Sequence, residues 1–150
     1  MRQALLDITI PMRLPSRANF RGHTRSRKHT KMVREQRGVT RLVLSARAER
    51  RPKLPCVICL TRIAPRSLDH ADNLPMSMKS VRDGIADWLG VDDRSDQIQW
   101  QYDQRKGSGP RVNELQVEVF ENEDPWGCKL CGAGFGVVPC PHRSTFAEAP

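Results

Sequence analysis

Residues 65–96 read PRSLDHADNLPMSMKSVRDGIADWLGVDDRSD, and the way this stretch folds decides the architecture of the chain. Met78, Val81, Ile85, Trp88 and Leu89 recur at intervals that put side chains on one face of an α-helix. Pro75 suits a first helical turn, where its missing N–H costs nothing, and Asp72 and Asn73 precede it as capping groups. Gly90 fits the exit, because glycine readily takes the left-handed conformation that ends helices. Lys79 and Asp83 stand one turn apart beside the apolar stripe. Two acid pairs flank this helix, Asp69 with Asp72 before it and Asp92 with Asp93 after it. A loop, a helix and a second loop can bring both pairs together, and hard oxygen ligands gathered this way suit Mg²⁺ or Mn²⁺. The same residue types also serve as plain caps and turn formers, so the acids alone leave both readings open.

The flanking chain supplies strands. Leu6, Ile8, Ile10, Met12 and Leu14 alternate with polar residues and Pro11, which predicts a half-buried strand at a sheet edge. From His29 to Glu49, the spacing of Met32, Gln36, Val39, Val43 and Ala46 predicts a helix. Its outward face would carry Arg34, Arg37, Arg41 and Arg47, and Gly38 weakens its propensity. CVICLTRIAP, residues 56–65, reads as a second strand, with Cys56 and Cys59 pointing to opposite faces as buried structural cysteines. Ile98, Trp100 and Tyr102 alternate with polar residues, as do Leu115, Val117 and Val119. The Gly/Pro turn RKGSGP between them predicts a hairpin. The expected fold is α/β (α+β): a small mixed sheet of about four strands with two main helices.

Charge is divided unevenly along the 150 residues. Residues 1–53 hold fifteen Lys/Arg against three Asp/Glu, a net +12, and residues 54–150 hold ten against fourteen, a net −4. A basic half joined to concentrated carboxylates fits a polyanion-binding surface beside a metal site. A basic leader that only confers solubility is the plainer alternative. The basic stretch lacks the strongly apolar opposite face of a membrane-surface helix, and no apolar run reaches membrane-spanning length. With no apolar signal-peptide core at the N-terminus, a cytoplasmic protein is the default expectation.

After Glu123 the chain turns Gly/Pro-rich and loses periodicity, which divides it into a domain over 1–123 and a tail over 124–150. Cys128, Cys131, Cys140 and His142 lie within fifteen residues of that tail, a ligand set that suits structural Zn²⁺. A tail with incidental thiols is the alternative. Five cysteines, an odd number, do not make a complete disulfide framework. His23, His29 and His70 read as surface or phosphate-contacting groups.

Over roughly residues 5–122 the sequence resembles the RusA-like Holliday-junction resolvases, DNA endonucleases common in phages and prophages. The resemblance rests on LTRIAPRSLDHADNL, MKSVRDGIADWLGVDD and IQWQYDQRKG, and on the early LPSRANFRGH, which is similar to the family's Pro/Asn-containing basic loop. It implies that Asp69, Asp72 and Asp93, with Asp92 beside them, bind Mg²⁺, and that Lys79 is the catalytic lysine. Asn73 and Asp83 match further motif positions. Arg17, Asn19, Arg21, Arg25, Arg27 and Lys28 would hold the DNA backbone. It also implies a homodimer that cuts paired strands of a four-way junction in recombination and repair. Two departures stand out: His70-Ala71 separate the first two acids where the family has one residue, and Lys79 lies three residues further from Asp72. A non-catalytic zinc-containing DNA-binding module, led by the basic arm and the tail, is the competing expectation. A resolvase-like protein kept only for junction binding is a third.

Overall fold

The computed structural model describes residues 4–16 and 27–121. Expectations for Arg17, Asn19, Arg21, Arg25 and for Cys128, Cys131, Cys140 and His142 lie outside the described residues. The elements run β1 (Leu6–Pro11), α1 (Arg27–Arg47), β2 (Cys56–Ala64), α2 (Asn73–Ser77), α3 (Lys79–Leu89), β3 (Ile98–Lys106) and β4 (Glu114–Glu121). They form a mixed α+β fold around a four-stranded sheet in the order β1-β4-β2-β3.

The strands are where alternation predicts them, and Pro11 does lie on an edge strand. The expected β3–β4 hairpin does not form. β2 lies between these strands, parallel to β3 and antiparallel to β4. β2 is the most apolar strand, and a central position gives its side chains neighbours on both flanks. The α2–α3 segment is therefore the crossover of a strand–helix–strand unit, as parallel pairing requires.

One face of the sheet carries the core. Ile58 and Leu60 of β2 and Leu115, Val117 and Val119 of β4 are fully buried there against Leu44 of α1 and Val81 and Ile85 of α3. Met78, Val81, Ile85, Trp88 and Leu89 are all buried, as their spacing predicts. The single helix expected through this stretch is broken at Met78 into α2 and α3, and Asp72 sits at the N-cap of α2 without a side-chain capping bond. Gly90 ends α3 with φ 77°, a conformation that strains other residues.

The buried face of α1 differs from expectation. Gln36, Thr40 and Leu44 face inward, whereas Val39 is 40 % exposed and Ala46 is exposed. Gly84 of α3 explains the shift: a Cβ there would lie 2.5 Å from the Arg37 carbonyl oxygen and 3.1 Å from Thr40 Cβ. The helices thus approach closest where α3 has no side chain, and that contact selects the inward face of α1. The buried polar side chains at this contact are paired. Gln36 donates Nε2 to the Arg13 carbonyl (2.8 Å) and accepts from Ser80 Oγ (2.5 Å), and Thr40 Oγ1 donates to the Gln36 carbonyl (2.7 Å). At the margin, Arg37 grips both carboxylate oxygens of Asp87 at 2.6 and 2.8 Å, holding that carboxyl below its usual range. No helix among the described residues is long and apolar enough to cross a membrane.

Candidate functional site

β3 forms the floor of the region that carries the predicted acids. Trp100, Tyr102 and Gln104 project from its helix-facing side, because alternate residues of a strand share a face. Each end of this row holds one acid-bearing loop.

At the Gln104 end, the Leu68 N–H donates to Gln104 Oε1 (2.8 Å) and Gln104 Nε2 donates to the Leu68 carbonyl (2.6 Å). The next residue is Asp69. Its Oδ1 accepts from the Ala71 N–H (3.2 Å), and its carbonyl accepts from the Leu74 N–H (2.9 Å), folding the chain into α2. Ser16 Oγ donates to Asn73 Oδ1 (3.4 Å), tying the same loop to the segment after β1. Asp69 and Asp72 are exposed, as is Lys79 at the first position of α3. None of the three forms an ion pair among the described residues.

At the Trp100 end, the Asp93 carbonyl accepts from Trp100 Nε1 (3.2 Å) and Arg82 Nη2 (2.9 Å). Arg82 also pairs with Asp93 Oδ2 at 3.5 Å, and its guanidinium lies 4.9 Å above the Trp100 ring. Asp92 is exposed and closes its turn by accepting from the Arg94 N–H (2.8 Å). Among the described residues, Arg82 Nε and Tyr102 Oη are buried without a hydrogen-bond partner, and burial raises the Tyr102 phenol pKa. Unpartnered buried polar atoms are uncommon and mark places where water or a ligand completes the structure.

The two acid pairs remain apart. From Trp100 to Gln104 is four strand residues, roughly 13 Å at the usual rise. Among the described residues no three His, Cys, Asp or Glu groups converge to hold a metal ion. The expected gathering of Asp69, Asp72, Asp92 and Asp93 into one cluster is not found among the described residues, and Asp93 instead pairs with Arg82. Asp69 and Asp72 nevertheless fit Mg²⁺ as a donor set. They are carboxylates without a cation partner among the described residues, and Mg²⁺ commonly takes one or two carboxylates, completing its octahedron with water and phosphate oxygens. Arg27 and Lys28 are exposed at the start of α1.

Sequence reasoning missed Arg82, Tyr102 and Gln104. Alternation already placed Trp100 and Tyr102 on one strand face, and Arg82 follows Lys79 by three residues on α3, which was the available signal. The two strand cysteines behave as expected of opposite faces. Cys56 is buried, while Cys59 is half-buried with Sγ 3.1 Å from Gln101 Oε1. Burial pushes both thiols up to about 11, so they stay protonated at neutral pH.

Compared with models of known protein families and with curated proteins, the chain gives no match.

Proposed function

We propose that the protein is a Mg²⁺-dependent, structure-selective endonuclease that hydrolyses phosphodiesters in branched DNA, with the four-way junction as substrate. The observation that carries this reading is charge left unpaired among the described residues on a fixed frame: Asp69 and Asp72 stand exposed on a loop pinned through Gln104 and Asn73, and Lys79 stands exposed at the next helix start. The two anchors hold the loop's backbone in one conformation, as a preorganised site requires.

The reaction needs a polarised phosphoryl group, an activated water and a stabilised leaving oxygen, chemistry that Mg²⁺ supplies when bound. Asp69 and Asp72 would hold the ion. Lys79 Nζ would offset the negative charge that grows on the phosphoryl oxygens. The resemblance would add Asp93 to this machinery, a carboxylate that Arg82 and Trp100 orient at the other end of β3. Arg27 and Lys28 would contact backbone phosphates. A homodimer would set two such sites against the two-fold symmetry of a junction.

Asp72→Asn tests the assignment. Junction cleavage should fall by at least about a hundredfold, the scale of losing a principal charge-stabilising group, with junction affinity nearly retained. Cleavage at wild-type rate removes Asp72 from the site. One observation favours a second reading, a junction-binding protein without catalysis: the acids are separated and Arg82 occupies Asp93. Binding without Mg²⁺-dependent cutting by the wild type would select it.

A further inference from the structure

The end of the sheet where β1, β2 and β3 finish and β4 begins holds an open cleft of about 620 Å³. Arg13, Arg62, Arg66 and Arg111 line it together with Leu14 and Asn113, and no acidic residue among the described ones does. None of the four arginines pairs with a carboxylate among the described residues.

Arg62 is the anomaly. It belongs to the central strand and is 8 % exposed, yet its guanidinium meets two backbone carbonyls, Leu14 through Nε (3.0 Å) and Arg66 through Nη1 (2.7 Å). Burial lowers its pKa, with no acidic group among the described residues acting in the other direction. A buried cation normally has a counter-charge, because desolvation penalises it otherwise. Here the two carbonyls fix the guanidinium plane, and a negative group in the cleft would supply the missing charge. Planar guanidinium groups match phosphate oxygens in paired bonds, which lysines do not.

The cleft also abuts the acidic loop. Leu68 lines it and is followed directly by Asp69, and Ser16, another lining residue, bonds Asn73. We propose that the Arg13–Arg62–Arg111 cleft seats a backbone phosphate of the bound DNA strand, beside the phosphate presented to Asp69 and Asp72. This rests on the endonuclease reading for the nature of the ligand. The cleft is much larger than one phosphate and opens to solvent, which suits a polynucleotide passing through rather than a small anion enclosed.

The test is fluorescence anisotropy with a labelled four-way junction over a salt series, comparing wild type with Arg13→Gln/Arg111→Gln. Both positions are exposed, so the fold should survive, as melting would verify. Arg51→Gln/Lys53→Gln removes the same charge at the opposite end of the sheet and serves as the control. The cleft variant should bind about tenfold more weakly at low salt. Its slope of log affinity against log salt should become shallower by about one, the change for one lost phosphate contact. The control should keep the wild-type slope. If the cleft variant matches the control while wild type still cleaves junctions, the cleft assignment is overturned and the endonuclease reading stands. If wild type binds DNA without cutting it, the reading fails and the slopes still decide the cleft. A wild type that binds no DNA overturns both.

Discussion

Gln104 holds Leu68 with both ends of its side-chain amide, accepting from the backbone N–H at 2.8 Å and donating to the carbonyl at 2.6 Å. A strand residue thereby mimics a neighbouring backbone and fixes the chain one residue before Asp69. Gln104→Ala removes both bonds and should cost about 1–3 kcal/mol in urea unfolding, given about 0.5–1.5 kcal/mol per net hydrogen bond. Junction cleavage should fall further than junction affinity, because the loop then loses its register. Equal losses in both would assign Gln104 to stability alone.

Arg82 performs the matching task at the other end of β3, where it spans Asp93 and Trp100. Arg82→Met keeps much of the aliphatic bulk and removes the ion pair, the carbonyl bond and the cation–π contact. Stability should drop by about 2–4 kcal/mol, the sum of one charged hydrogen bond and one partly exposed cation–π contact. Tryptophan emission should shift as the Trp100 environment loosens. An unchanged spectrum and midpoint would show that Arg82 does not organise this corner.

Two glycines should respond in opposite directions to the same change. At Gly84 a methyl group would press within 2.5 Å of the Arg37 carbonyl, and backbone on a packed helix yields poorly. Gly84→Ala should destabilise by about 1–3 kcal/mol, as overpacking does. At Gly38 nothing lies within 4 Å of the added Cβ, and Gly38→Ala should stabilise by up to about 1 kcal/mol through helix propensity. Thermal melts of both variants check the pair, and a stabilised Gly84→Ala would refute the close α1–α3 contact.

Glu121 makes a paired contact with Arg50 and accepts from the Lys53 N–H at 2.6 Å. The Arg50 contact, helped by that backbone bond, holds its carboxyl down to about 2. A depressed folded-state pKa means stability that is present above the ordinary value of 4.5 and is lost as pH falls toward about 2. Glu121→Gln should therefore be less stable than wild type at neutral pH, with the difference shrinking across that acid window. Unfolding curves at several pH values would show it, and a pH-independent difference would contradict it.

Local periodicity made much of this fold legible before the structure. Met78, Val81, Ile85, Trp88 and Leu89 described the buried stripe of α3, and alternation in Leu6–Ile10 and Leu115–Val119 described two strands, because both signals depend on residues close in sequence. The β3–β4 relation was not legible. A Gly/Pro turn joins strands equally well when a third strand enters between them, and the insertion of β2 is a non-local choice. The inward face of α1 escaped for a similar reason: Gly84, more than forty residues away, decides that Thr40 rather than Val39 is buried. For the site, the residue types were readable and their support was not. Arg82 and Gln104 act through Asp93 and Leu68, contacts that no spacing rule announces.

The most direct measurement is cleavage of a labelled four-way junction by the purified 150-residue chain, set beside linear duplex of the same sequence, with Mg²⁺ or with EDTA. The proposal predicts paired, symmetric nicks in the junction with Mg²⁺, none with EDTA, and none in the duplex. Tight junction binding with no cutting at any Mg²⁺ concentration would contradict the endonuclease and leave a protein that only binds the junction.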